Sequence, residues 1–403
     1  MALDRFFRIS HKHPIRSDMN DLVQNSSPER YLPQKWNGRQ YAFAAVLCVA
    51  VLLARVVTSG PAYFADAGNH LKAIANHTYI IQPPGYWLFN RIAGLFSNAE
   101  QGISVMNWCF SALGCVAFYA SARRLIRSPL AELGALLYAT AFFAWFSGNV
   151  HSTYASQLLF APLTFYFMLL YRENSKFVWL VAVAVSFALG AGFRPSDGVF
   201  LSPLLLLFAL RLPRKRLLLL GLLVLILCAA WMIPNQIALH QYQSRSASVQ
   251  LAIVAKGSIV FGRINVYTVS NALRFFLPLA LALGPCVLFL FRSRASERLL
   301  LWAWVIPGSV FFLLIYVSDA PYLNFLLGGY LLLCLLGMRT SQKPRLAASM
   351  LILTILINTF FYLGFRPLSL HSNVYDIAEK DLGLYSFYAV RHQWKISRLS
   401  LEK

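Results

Sequence analysis

Residues Phe64–Phe96 read F-A-D-A-G-N-H-L-K-A-I-A-N-H-T-Y-I-I-Q-P-P-G-Y-W-L-F-N-R-I-A-G-L-F. This stretch follows the first strongly apolar segment and interrupts a chain that otherwise reads as one apolar helix after another. It carries Asp66, one of few acids near the apolar part of the sequence, together with His70 and His77. Pro83-Pro84-Gly85 turns the backbone sharply, because two prolines fix φ and forbid helix continuation while glycine accepts turn conformations. The run Y-W-L-F-N-R-I-A-G-L-F that follows is apolar and too short to span, which predicts a helix lying in a membrane interface.

Outward from this loop the chain is dominated by apolar windows of about 18–22 residues, the length a helix needs to cross a bilayer core. Of 403 residues 58% are hydrophobic and 13% charged, far from the roughly 25% charged residues of soluble domains. A single such window fits a buried core helix, but about ten do not. The expectation is an all-α polytopic membrane protein with about eleven spans: Tyr41–Val57, Ile103–Ala122, Leu130–Phe146, Tyr154–Tyr171, Val178–Gly192, Gly198–Leu210, Leu217–Ile233, Leu273–Phe291, Leu299–Tyr316, Tyr322–Gly337 and Leu346–Leu363. Residues 1–40 form a basic cytoplasmic segment without a signal-peptide pattern, so the first span is a retained anchor. Residues 41–363 form the membrane domain, with a first outer loop at 58–102 and a long outer loop at 234–270. Residues 364–403 form a non-cytoplasmic tail.

The net charge of +21 does not make this a nucleic-acid-binding protein. Lys and Arg cluster in short loops at alternate segment ends, as the positive-inside pattern requires, and some can meet anionic headgroups. The six cysteines lie in apolar segments without metal-ligand spacing and read as packing residues. No internal repeat is visible.

Polar residues converge on the other side. Asp66, Asp197 and Asp319 fall at span ends in three separate outer turns, and His70, His77, His151 and Arg194 lie on the same side. Ionisable groups at such depths face a cavity or a partner. Asp66 and His70 are i and i+4, so on a helix they share a face, and the carboxylate can accept a proton from an attacking hydroxyl with His70 tuning it. The alternative is that Asp66 caps the helix starting near Ala67. Arg194, beside Pro195, suits a phosphate ester, or else pairs with Asp197 or snorkels to headgroups. His151 and Tyr154 can hydrogen-bond a sugar or other substrate. Lys256 and Arg263 can guide an anionic headgroup or are surface charge. Gln82 is a substrate contact or a polar cap. Metal ligation by His70, His77 and His151 has no recognised spacing behind it, so no cofactor is implied, and a weakly held divalent cation stays open. Asn76-His77-Thr78 fits a glycosylation sequon.

Together these residues resemble the GT-C superfamily of integral membrane glycosyltransferases, in particular its protein O-mannosyltransferase-like branch. The resemblance rests on Asp66-Ala67-Gly68-Asn69, Gln82-Pro83-Pro84-Gly85-Tyr86, Asn107 with Ser111-Ala112, His151-Ser152-Thr153-Tyr154 and Gly190–Ser196. It covers roughly residues 40–215. Relatives often carry a second acid where Asn69 stands and His where Gln82 stands, and the fourth-span motif lacks its usual Glu. The resemblance implies transfer of a sugar from a polyprenyl or dolichyl phosphate to an acceptor hydroxyl on the non-cytoplasmic face, with inversion and with Asp66 as general base. Asp319 joins the expected substrate contacts. The acceptor would be a protein, a glycan or a lipid, and the membrane a bacterial inner membrane, or the endoplasmic reticulum in a eukaryote. The rival expectation is a transporter or flippase for a lipid or small solute. Coupling acids near mid-bilayer and paired interrupted helices would favour it.

Overall fold

The structure, a computed structural model, describes residues 36–59, 66–81, 84–126, 129–241, 266–292, 297–315, 320–341 and 343–364. The described residues are helical, with no strand among them. In order the helices are α1 (Gly38–Thr58), α2 (Ala67–Ala75), α3 (Trp87–Ala93), α4 (Ala99–Leu125), α5 (Leu130–Thr140), α6 (Phe142–Asn149) and α7 (Ala155–Asn174). They continue with α8 (Phe177–Phe193), α9 (Pro195–Ala209), α10 (Arg214–Gln241), α11 (Val266–Leu283), α12 (Arg298–Val310), α13 (Asn324–Arg339) and α14 (Pro344–Gly364). Each expected span overlies one of these helices or a pair of them. By length and hydropathy six qualify as crossings, seven with α5 and α6 taken as one bent span, while α8, α9 and α13 are apolar but shorter. Leu218, Leu222, Leu225, Ile226, Ile233 and Ile237 of α10 point out of the protein, as they must in a helix whose surroundings are hydrocarbon. The chain is an integral membrane protein of helical-bundle type.

The helices run up and down, so their ends collect at two poles. At one pole Thr58, at the end of α1, meets Trp145 and Asn149 of α6, and Asn149 Nδ2 also donates to the Tyr362 hydroxyl near the end of α14 at 3.0 Å. At the other pole Arg124 of α4 pairs with Glu173 of α7, Arg172 with Glu297, and Arg339 donates to the Leu125 carbonyl. The central pair is α4 and α7. A Cβ on Gly114 would lie 2.5 Å from the Leu158 carbonyl oxygen, so only glycine lets the two backbones approach this closely.

Three expectations need correction. The span expected over Leu130–Phe146 is two helices, bent by 52° across Ala141. The bend leaves backbone groups unpaired, and such groups are expensive to bury. Arg55 of α1, only 1% exposed, donates through Nη2 to the Ala139 carbonyl at 2.9 Å and lies over the Trp145 ring. The Phe142 N–H donates to Asn358 Oδ1 of α14 at 3.1 Å, while Asn358 Nδ2 donates to the Leu281 carbonyl at 3.1 Å. Residues far away in sequence thus hold the break, and no local pattern announced it. Second, the loop expected from Pro234 begins later. Helix α10 runs through Pro234 to Gln241, because a buried or lipid-facing helix loses more by unravelling than by the single hydrogen bond a proline removes. Residues 242–265 lie outside the described residues. Third, the span expected over Leu273–Phe291 starts at Val266 and ends in a 3₁₀ segment, Gly284–Phe289. Gly284 has φ +51, and a Cβ there would meet Thr354 at 2.6 Å.

The first loop contains the two short helices α2 and α3, as its sequence suggested. Gly85 has φ +122, a conformation that glycine alone enters freely. Asn235 of α10 clasps this turn: its Nδ2 donates to the Pro84 carbonyl at 2.8 Å, and its Oδ1 accepts from the Trp87 N–H at 3.2 Å. A Cβ on Gly85 would sit 2.1 Å from Asn235 Oδ1. Gly85→Ala is therefore expected to lower the melting temperature of the detergent-solubilised protein, with a loss above the roughly 1–2 kcal/mol of the backbone conformation alone. Gly68→Ala is the control, since nothing lies within 4 Å of its Cβ. Equal melting of the two variants would refute the clasp.

Candidate functional site

The pole where α1 ends gathers polar groups from four separated stretches. Asp66 stands at the start of α2, Thr153 and Tyr154 lead into α7, Arg194 sits between α8 and α9, and Tyr322 belongs to the 3₁₀ turn Ala320–Leu323 before α13. Arg194 occupies the junction because Pro195, at the first position of α9, disfavours helical backbone in the residue before it. Arg194 is extended, at φ −144 and ψ 99.

The guanidinium of Arg194 is the hub. Its Nη1 donates to Thr153 Oγ1 at 3.0 Å, its Nε lies 3.6 Å from Asp197 Oδ1, and its carbon lies 4.5 Å from the Tyr154 ring centre and 5.6 Å from that of Tyr322. Asp197, 2% exposed, also accepts from Gln157 Nε2 at 2.8 Å. The pairing with Asp197 is thus real, and it leaves the second terminal nitrogen of Arg194 without a hydrogen-bond partner among the described residues.

Asp66 is half-buried, and its side chain does not cap α2. Its carboxyl is pushed up by burial, and this is opposed by the charge of Arg194 and a hydrogen bond from Asn69. The arrangement is that of a carboxylate within the field of a cation, and not engaged in capping the helix that follows it. His70 is not its tuning partner, contrary to the i, i+4 expectation. The His70 ring turns inward, 1% exposed, with Nδ1 2.7 Å from Asn90 Oδ1 of α3 and in edge-to-face contact with the rings of Phe89 and Tyr86. Asn90 donates in turn to the Tyr79 carbonyl at 2.9 Å. His70 thus locks α2 onto α3. Burial, more than the Asn90 hydrogen bond restores, pushes its pKa down to about 4.

That value predicts a pH signature. His70 is neutral in the folded protein at any pH above about 4, whereas an unfolded histidine takes up a proton near pH 6.5. The unfolded chain therefore binds more protons between these values, and the contribution is fully present above pH 6.5 and is lost as pH falls towards 4. Thermal melts of the parent across this window are expected to fall more steeply than those of His70→Gln. Parallel slopes would contradict the assignment.

His151 is also interior, 1% exposed, with Nε2 2.9 Å from Ser104 Oγ and 3.9 Å from Glu100 Oε1. Burial pushes it down, and Glu100 partly opposes this. Ser104, Asn107 and Ser111 form one stripe on α4 at i, i+3 and i+7. Asn107 Nδ2 donates to the Val150 carbonyl at 2.6 Å, and Ser111 Oγ lies against Gly148, where a Cβ would stand 2.4 Å away. The asparagine and serine noted in the sequence thus fix the turn that presents Thr153 and Tyr154 to Arg194. Thr153, Gln157, Asn235 and Tyr322 escaped the sequence reading. Only the proximity of Thr153 to His151 and Tyr154 in the motif hinted at any of them. Gln82, Lys256, Arg263 and Asp319 lie outside the described residues. Among the described residues no three His, Cys, Asp or Glu side chains come together in a way that could hold a metal ion.

Comparison with known proteins places these features in context. Residues 81–237 match the family described as dolichyl-phosphate-mannose-protein mannosyltransferase. The fold matches the crystal structure of ArnT from Cupriavidus metallidurans bound to undecaprenyl phosphate, with a TM-score of 0.58 and 16% sequence identity, over 91% of this chain and 73% of that one. No protein in the curated set matches the sequence. The GT-C resemblance read from the motifs therefore stands: the fold is GT-C-like over nearly the whole chain, and the family match covers its middle.

Proposed function

We propose, taking the GT-C fold and the mannosyltransferase match as the premise, that this chain is a glycosyltransferase that moves a sugar from a polyprenyl- or dolichyl-phosphate donor to an acceptor hydroxyl on the non-cytoplasmic side of the membrane. The observation that carries the reading is the convergence of Asp66 and Arg194 at one pole of the bundle. In a single displacement the acceptor oxygen attacks the anomeric carbon as the bond from that carbon to the phosphate oxygen breaks. The acceptor proton passes to the Asp66 carboxylate, and the lipid phosphate leaves with the bonding electron pair. Configuration at the anomeric carbon inverts.

The leaving phosphate gains negative charge, and a preorganised cation is the strongest stabiliser a protein can offer it. Arg194 suits this part, since Thr153, Asp197 and two tyrosine rings fix its plane while its second terminal nitrogen has no hydrogen-bond partner among the described residues. His70 and His151 act as positioning residues behind this face. Gln82, Lys256, Arg263 and Asp319 complete the proposed substrate contacts. Undecaprenyl phosphate, the lipid bound in the ArnT structure, is the natural first carrier to try.

The test is transfer by the purified full chain in detergent with a panel of polyprenyl-phosphate sugars, reading release of the lipid phosphate and the anomeric configuration of the product. Release with inversion supports the reading. Movement of intact lipid-linked sugar across a vesicle membrane, without release, would replace it with the transporter alternative.

A further inference from the structure

The pole opposite Asp66 contains a cavity of about 400 Å³ between the ends of α7, α9, α10 and α12. Three guanidinium groups line it, from Arg172, Arg211 and Arg216, and its apolar wall includes Phe208 and Leu300. None of these residues takes part in the proposed transfer.

Two of the three arginines are fixed by the fold. Arg216, in the first turn of α10, donates through Nη1 to the Tyr171 hydroxyl at 2.6 Å and to the Ser175 carbonyl, and its guanidinium lies 5.4 Å from the Tyr171 ring centre. Arg172 Nη1 lies 3.3 Å from Glu297 Oε1. Arg211 is exposed, and its guanidinium makes no hydrogen bond or ion pair among the described residues. Three cations thus line one cavity, with the Glu297 carboxylate paired to only one of them, Arg172, at the start of a 28-residue helix whose N-terminal end adds positive potential of its own. Partial burial and the charge of Arg172 push the Arg211 pKa down, and Glu297, already paired with Arg172, only partly opposes this. Mutual repulsion of this kind is relieved by an anion with several acceptor oxygens, which forked guanidinium donors bind well.

We infer that this cavity is a phosphate-binding site, separate from the candidate transfer site and at the opposite pole of the bundle. Its setting at the ends of apolar helices, with Phe208 and Leu300 beside the arginines, fits the headgroup of an anionic phospholipid, whose glycerol and first methylenes would meet the apolar wall. Free inorganic phosphate shares the recognition chemistry and is the other source.

The test uses the full chain in nanodiscs of phosphatidylcholine with phosphatidylglycerol, followed by native mass spectrometry of the retained lipids. The parent is expected to retain phosphatidylglycerol in preference to phosphatidylcholine. Arg211→Gln, which breaks no side-chain hydrogen bond or ion pair among the described residues, is expected to reduce that preference about fivefold, the factor corresponding to about 1 kcal/mol for one basic residue near a lipid headgroup. Arg211→Gln with Arg216→Gln should reduce it further. Lys215→Gln removes the same charge from the same helix start, outside the cavity lining, and should leave the preference intact. A second arm, in detergent without lipid, titrates inorganic phosphate against thermal melting. Stabilisation of the parent but not of Arg211→Gln, without selective lipid retention, would keep the site and assign it to soluble phosphate. Behaviour of Arg211→Gln identical to Lys215→Gln in both arms would overturn the inference.

Discussion

Asp66→Asn is expected to slow sugar transfer by roughly 10²–10⁴-fold, the range that a positioned general base supplies. The substitution is nearly isosteric and removes a charge that burial already opposes, so the variant should fold at least as well as the parent. It retains an oxygen for the Asn69 hydrogen bond and loses the ability to take a proton. The loss should therefore fall on kcat, with little change in KM for the lipid donor. In the parent, the acid limb of the rate profile should lie above the pH at which a free aspartate titrates, near 3.9, because burial outweighs the help from Arg194. Steady-state transfer by parent and variant across pH decides the matter. A folded Asp66→Asn protein working within a few-fold of the parent would remove Asp66 from the chemistry.

The second large effect concerns Arg194. Arg194→Ala strands the charge of Asp197, 2% exposed, with only the neutral donors Gln157 and Ser196, and breaking a buried pair in this way costs about 3–5 kcal/mol. Loss of activity in that variant alone says nothing about phosphate binding. Arg194→Ala with Asp197→Asn removes both charges, so melting should recover towards that of the parent while transfer stays low and the donor KM high. Arg194→Lys is expected to be intermediate in melting and poor in transfer, since an ammonium keeps the charge but not the planar fork that Thr153 and the tyrosine rings hold. Transfer at the parental rate with unchanged donor KM in the double variant would leave Arg194 a purely structural residue.

Much of this architecture was legible in the sequence because hydrocarbon leaves so few options. Each apolar window had to be a helix, and each scarce acid or cation had to find a reason for its position. Asp66 and Arg194, 128 positions apart, could be placed at one pole from the alternation of spans alone. The inward turn of His70 and His151 was not legible. Helical spacing puts His70 on a face with Asp66, but Asn90 and Ser104 decide where the rings point, and both partners lie on other helices. The break at Ala141 was equally hidden, since it depends on Arg55 and Asn358. Helix α10 continues through Pro234, and this carries Asn235 to the first loop, a long-range contact that no local pattern announces.

The hinge between α5 and α6 bears on how the protein is made. Its two unpaired backbone groups are met by one side chain that the ribosome delivers 84 residues earlier and by another that it delivers 216 residues later. Until α14 has been synthesised, the Phe142 amide lacks its Asn358 partner and has only lipid or transient neighbours to turn to. The segment is therefore expected to stay unsettled, and open to chaperones or quality-control proteases, through most of translation. Membrane insertion can proceed helix by helix, but this hinge closes only when α14 arrives.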